Sequence, residues 1–164
     1  MAFVVFNLLA AAALIGIDQA IKLWATNVLQ PVGAMPLIPH VVELRFVLNP
    51  GMAFSLLSGK QLFLILATSA ALLLVAYLLF FRSRGRYLQQ AALLLILAGG
   101  IGNLIDRVLN GYVVDFFATT FMNFAVFNVA DCFVCVGAAL FVIAVLRQEL
   151  NAKKEQKAGT DENA

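Results

Sequence analysis

Residues 61–86 read QLFLILATSAALLLVAYLLFFRSRGR. From Gln61 to Phe81 there is no charged side chain. A helix needs about 20 apolar residues to cross a bilayer core about 30 Å thick, and this stretch supplies them. Arg82, Arg84 and Arg86 follow at once. Short loops rich in arginine stay on the cytoplasmic side of a membrane. The stretch therefore predicts both a membrane span and its direction.

The rest of the chain repeats the pattern. Of 164 residues, 63% are hydrophobic and 12% charged, against roughly 45–50% and 25% in soluble domains. A soluble fold this small could not bury so much apolar surface. Further spans are expected over residues 2–24, 88–105 and 126–146. The first does not resemble a cleavable signal, because no Lys or Arg precedes it and Lys22 is the first basic residue. An even number of spans puts both termini in the cytoplasm, and Arg147, Lys153, Lys154 and Lys157 agree with that. The expected fold is an all-α membrane protein of four transmembrane helices in a single domain, residues 1–148. Residues 149–164 are polar and lack aromatics, which predicts a disordered cytoplasmic tail.

Two segments are left outside. Residues 25–60 contain Pro31, Pro36, Pro39 and Pro50, which interrupt helices, and Val41-Val42-Glu43-Leu44-Arg45-Phe46, which partly alternates. A small β-structured extracytoplasmic segment is expected there, between helices one and two. Residues 108–125 carry Phe116, Phe117, Phe121 and Phe124 and belong at the membrane interface.

The polar residues are not spread evenly. Before the tail the acidic residues are Asp18, Glu43, Asp106, Asp115 and Asp131, and all fall on the outer side. A charge at bilayer depth costs about 2.5–3.5 kcal/mol on insertion scales, so it persists where it is partnered or works. Asn103 and Arg107 share a face of the third span, and Asn128 and Asp131 share a face of the fourth. Asp18 and Lys22 are four apart at the end of the first. Asp131 is expected about one and a half turns inside its span. Gly99, Gly100 and Gly102 lie just beneath this layer and would admit a close backbone, from a helix or a substrate.

Elimination narrows the chemistry. With one histidine, His40, and two cysteines, Cys132 and Cys135, there is neither a zinc-protease motif nor a disulfide framework. No Gly-x-Ser-x-Gly is present. A Ser/Lys dyad from Ser55 or Ser58 with Lys22 or Lys60 would leave the buried aspartates unexplained. Carboxylate chemistry remains. Two aspartates held close share one proton, so the charged member takes a proton from water while the neutral one supports the scissile carbonyl. Asp131 is the first candidate because it lies within a span. Asp115 is the second, drawn inward by Val113, Val114, Phe116 and Phe117. Asp106 is expected to pair with Arg107 or a neighbour.

Five stretches now combine. Asn49-Pro50-Gly51-Met52-Ala53-Phe54-Ser55, Gly99-Gly100-Ile101-Gly102-Asn103-Leu104-Ile105-Asp106-Arg107, Val113-Val114-Asp115-Phe116, Phe127-Asn128-Val129-Ala130-Asp131 and Asp18-Gln19-x-x-Lys22 occur together. In kind and order they resemble the motifs of the lipoprotein signal peptidase (signal peptidase II) family. The resemblance implies an aspartic endopeptidase of the bacterial inner membrane, working near its extracytoplasmic face without metal or cofactor. It implies diacylglyceryl-modified prolipoproteins as substrates, cut just before the lipidated cysteine. It implies Asp115 and Asp131 as the catalytic pair, and Asn49, Asn103, Arg107, Asn128, Gly99 and Gly102 as residues that bind substrate or position the pair. Asp18, Lys22 and Asp106 would support them. Pro50 inside the first stretch would stiffen that turn.

Plainer assignments stand beside these. Cys132 and Cys135 read as packing in an apolar helix, His40 as a surface histidine, and the phenylalanines as interface anchors. The net charge of +2 argues against a nucleic-acid partner. A monomer surrounded by membrane lipid is expected. The rival functions are a small proton-linked transporter using the same carboxylates, or an inert scaffold. A transporter needs a polar path through the bilayer, yet span two is uncharged and Ala91 to Ala98 are wholly apolar.

Overall fold

A computed structural model describes residues 1–51 and 59–161. Met52, Ala53, Phe54, Ser55 and Ser58 lie outside the described residues. Among those described, four helices are long and apolar enough to cross a membrane.

The first begins as α1, Ala2–Trp24, and does not stop there. A π-helical turn, Ala25–Leu29, leads into the short α2, Gln30–Val32, so the helix runs through Pro31. Pro31 was expected to break it. A proline ring normally meets the carbonyl four residues back, here that of Asn27, and the wider π turn lies at that point. Gly33, at φ 84°, then ends the helix. The second span is α3, Gln61–Tyr77, extended by a π-helical turn, Leu78–Arg82. The third is α4, Tyr87–Asn110, closed by Gly111 in the left-handed region at φ 78°. The fourth is α5, Val129–Asp161.

Two boundaries differ from expectation. The fourth helix starts at Val129, not 126, so Asp131 sits in its first turn rather than one and a half turns in. Its far end continues through residues 149–161, where a disordered tail was expected. That segment is rich in Ala, Lys, Glu and Gln, all good helix formers, and Glu149 precedes Lys153 by four. Extending a formed helix fixes one residue per bond, without a new nucleus.

A three-stranded antiparallel sheet covers one end of the bundle, in the order β1 (Ala34–Ile38), β2 (Val42–Asn49), β3 (Val113–Thr119). The first two strands realise the expected β segment. The third comes from the phenylalanine-rich segment between α4 and α5. Its sequence, Val-Val-Asp-Phe-Phe-Ala-Thr, is dominated by β-branched and aromatic residues that suit a strand. Register sets Val47 opposite Asp115 and Asn49 opposite Val113. Ala25, Leu29, Leu44, Val114 and Phe116 form a core that fastens the sheet to the extended first helix.

α4 is the central helix and packs on α1, α3 and α5. Leucines on α3 such as Leu62, Leu66 and Leu73 face outward, as a lipid solvent allows. α4 and α5 approach closely through small residues. A Cβ on Gly99 would collide with the Ala130 carbonyl, and one on Gly137 would lie 2.7 Å from the Ala92 carbonyl. This close approach sets the position of the first turn of α5.

Candidate active site

Asp115 is buried in β3 at 2% exposure. Both of its oxygens accept amide hydrogens, from Asn49 Nδ2 at 2.9 Å and from Asn128 Nδ2 at 2.6 Å. Asn49 is held by its own turn, because the Gly51 N–H donates to Asn49 Oδ1 at 2.9 Å.

Asp131 is fixed by the start of its helix. Its backbone N–H donates to Asn128 Oδ1 at 2.9 Å, and the Asn128 N–H donates back to Asp131 Oδ2 at 3.1 Å. This is a capping box, in which the residue before the helix and the third residue within it satisfy each other's orphan N–H groups. The helix terminus favours a negative charge there. Asp131 Oδ1 also accepts from Asn103 Nδ2 at 2.7 Å. Asn128 thus touches both carboxylates, one through its side chain and one through its backbone. It also donates to Asn103 Oδ1 at 3.1 Å.

Asp115 and Asp131 open onto one cavity of about 400 Å³. Asn49, Asn103 and Arg107 supply its polar wall, and Val113, Phe124 to Phe127, Cys132 and Cys135 its apolar wall. Arg107 Nη2 donates to the Gly51 carbonyl at 3.1 Å, and its buried Nε–H has no partner among the described residues. Burial pushes the Asp115 carboxyl up to about 6. The Asn49 amide opposes this, the Asp131 charge adds to it, and Asn128 and Lys22 work against it.

A second polar cluster lies beside the cavity. Lys22 Nζ pairs with Asp18 Oδ2 at 2.9 Å and Asp106 Oδ2 at 3.0 Å, and donates to Asn103 Oδ1 at 2.8 Å. Asp18 Oδ1 accepts the Ala130 N–H at 3.0 Å, so the first helix caps the fourth. Asp106 was expected to pair with Arg107 or a neighbour. Its cation is Lys22, because consecutive helical residues point apart. Gln19 joins the cluster, donating to Asp106 Oδ1 at 3.0 Å and the Gly102 carbonyl at 3.2 Å.

The structure therefore brings together Asn49, Asn103, Arg107, Asp115, Asn128 and Asp131. Gly99 and Gly102 do not line the cavity. Gly99 admits α5, and a Cβ on Gly102 would lie 2.5 Å from Asp18 Oδ2. Cys132 and Cys135, expected as packing, stand in the cavity wall. Phe124, expected as an interface anchor, does as well, and so does Phe127. Their spacing from Asp131 along one helix and its lead-in is the signal that could have shown this.

The same arrangement of motifs has known relatives. The family model described as signal peptidase (SPase) II matches residues 10–147. A lipoprotein signal peptidase of Streptococcus pneumoniae (strain ATCC BAA-255 / R6) is 40% identical over 139 residues, which is 84% of this chain and 90% of that one. One from Streptococcus pyogenes serotype M2 (strain MGAS10270) is 38% identical over 144 residues, 86% of this chain and 93% of that one. A solved structure described as a bacterial membrane enzyme superposes with a TM-score of 0.82 at 33% identity, covering 89% of this chain and 90% of that one. With motifs, fold and relatives in agreement, this chain belongs to the signal peptidase II family.

Proposed function

We propose that this chain removes the signal peptide from diacylglyceryl-modified prolipoproteins, cutting before the lipidated cysteine, with Asp115 and Asp131 activating water. Membership of the family makes it a membrane aspartic protease that processes prolipoproteins. The observation that carries the residue assignment is Asn128, which binds both carboxylates at the wall of one cavity.

The chemistry follows from that wall. Asp115, raised by burial and by the Asp131 charge, keeps the proton that the pair shares. Asp131, in the first turn of α5, takes a proton from water. The water oxygen attacks the scissile carbonyl carbon while Asp115 delivers its proton to the carbonyl oxygen. The resulting diol collapses as the C–N bond breaks: Asp131 gives its proton to the leaving amine while Asp115 takes back a proton from a diol hydroxyl, which restores the pair. The Arg107 Nε–H is available to a substrate carbonyl. The mainly apolar remainder of the cavity suits a signal-peptide segment and its lipid.

The arginines of residues 82–86 support a cytoplasmic inner loop and termini, which puts the cavity at the extracytoplasmic face of a bacterial inner membrane. The chain is read as acting as a monomer in lipid. A gel-shift assay on a diacylglyceryl-modified prolipoprotein, run beside Asp131→Asn, tests the reading. Cleavage by the wild type alone supports it. Cleavage by both ends the assignment of Asp131.

A further inference from the structure

Gln61 lies outside the cavity and outside every motif described above, yet it joins the two segments that carry the Asp115 site. It is the first residue of α3. Its Nε2 donates to the Pro50 carbonyl at 2.8 Å and also to the Gly111 carbonyl. Both amide hydrogens are therefore used, one on each outer segment. Pro50 is the residue after Asn49, within the turn whose Gly51 N–H orients the Asn49 side chain and whose Gly51 carbonyl accepts from Arg107. Gly111 closes α4 just before β3. The donor of one Asp115 hydrogen bond and the strand that bears Asp115 are thus tied to the same amide.

We propose that Gln61 is a positioning residue for the aspartate pair, holding Asn49 against Asp115 by clamping the Pro50 and Gly111 carbonyls together. The inference rests on Asp115 and Asp131 being that pair. Gln61 touches neither carboxylate and carries no charge. The charges acting around Asp115 are Asp131 from α5, Lys22 from α1 and Arg107 from α4, and none belongs to Gln61. Its influence passes through the placement of the Asn49 amide. That amide favours the ionised carboxylate, so a displaced Asn49 makes Asp115 hold its proton to higher pH.

The test measures kcat/KM against pH for the full chain in detergent. Gln61→Met keeps the side-chain length and removes both donors. The expected result is a drop of about three- to tenfold, the range for losing a neutral hydrogen bond. The midpoint of the alkaline limb moves to higher pH, in the direction that Asn49→Ala moves it. Gln61→Lys, which restores a donor of similar reach, returns the midpoint toward wild type. In an Asn49→Ala background Gln61→Met adds no further movement, because the residue it acts through is gone. A lower melting temperature with the midpoint in place, or equal movement with and without Asn49, overturns the proposal. Asp115→Asn separates the two failures. If that variant is inactive while Gln61→Met leaves the midpoint unmoved, the pair stands and the role of Gln61 falls. If Asp115→Asn cleaves normally, the pair is misassigned and the proposal falls with it.

Discussion

Two pairs of aspartates occupy neighbouring positions in this molecule, and they are treated oppositely. Asp18 and Asp106 share one buried cation, Lys22, with Gln19 and backbone N–H groups filling their remaining lone pairs. Among the described residues Asp115 and Asp131 form no ion pair, although the Arg107 charge is felt by both. Their hydrogen-bond donors are the neutral amides of Asn49, Asn103 and Asn128 and one backbone N–H, and both face a cavity. A cation set between two carboxylates ties the helices that carry them together. Neutral donors orient a carboxylate without pairing its charge. On the proposed reading the first pair serves architecture and the second chemistry.

The contrast is easiest to break at the second pair. Asp115→Asn or Asp131→Asn is expected to lower cleavage by at least about 10²–10⁴-fold, the range of a general acid or base, while the protein still elutes as a folded species. An active variant at either position would dissolve the distinction. At the first pair the dominant effect is on stability. Lys22→Met leaves two buried carboxylates without their cation and is expected to cost about 3–5 kcal/mol, read as a large fall in melting temperature. Adding Asp18→Asn and Asp106→Asn is expected to recover most of that loss and measurable cleavage with it. If the triple variant is stable and inactive, the lysine cluster takes part in catalysis.

Asn128→Ala touches both functions. It removes the cap of α5 and one donor to Asp115, so about 1–3 kcal/mol of stability and roughly tenfold or more in kcat/KM should go together. The mildest effect is the pH profile. Asp115 is raised above its ordinary value, so the pair carries its shared proton below about 6 and loses it above. The alkaline limb of kcat/KM, which reports the free enzyme, is expected near pH 6. A limb rising instead of falling through that range would reverse the roles given to the two aspartates.

The spans were legible because lipid demands about 20 apolar residues in a row, a signal no tertiary contact overrides. The gathering of acids on one side followed from topology alone. The partner of Asp106 did not. Arg107 is adjacent in sequence but points elsewhere on the helix, and Lys22 is reached only once α1 and α4 pack. The start of α5 was misjudged because Phe127 and Val126 are as apolar as the helix that follows. The true marker was Asn128 three residues before Asp131, a capping spacing read instead as a shared helical face. β3 was hidden because its phenylalanines also suit a membrane interface, while its pairing with β2 depends on residues far away in sequence. Gln61 was invisible for the same reason, since its two carbonyls belong to turns that meet only in the folded chain.

The bond from Ala130 N–H to Asp18 carries a consequence for biosynthesis. The first of the four spans in chain order contains an acid whose backbone partner is 112 residues downstream. Until the last helix arrives, the Asp18 carboxylate has Lys22 and Gln19 of its own helix but not the backbone N–H of α5. The Asp18–Ala130 bond can therefore form only after the start of the fourth helix has been made. That same step completes the capping box that fixes Asp131. A chain that stops before the last helix lacks Asp131, one member of the proposed pair, and leaves Asp18 without the Ala130 N–H that joins the first helix to the fourth.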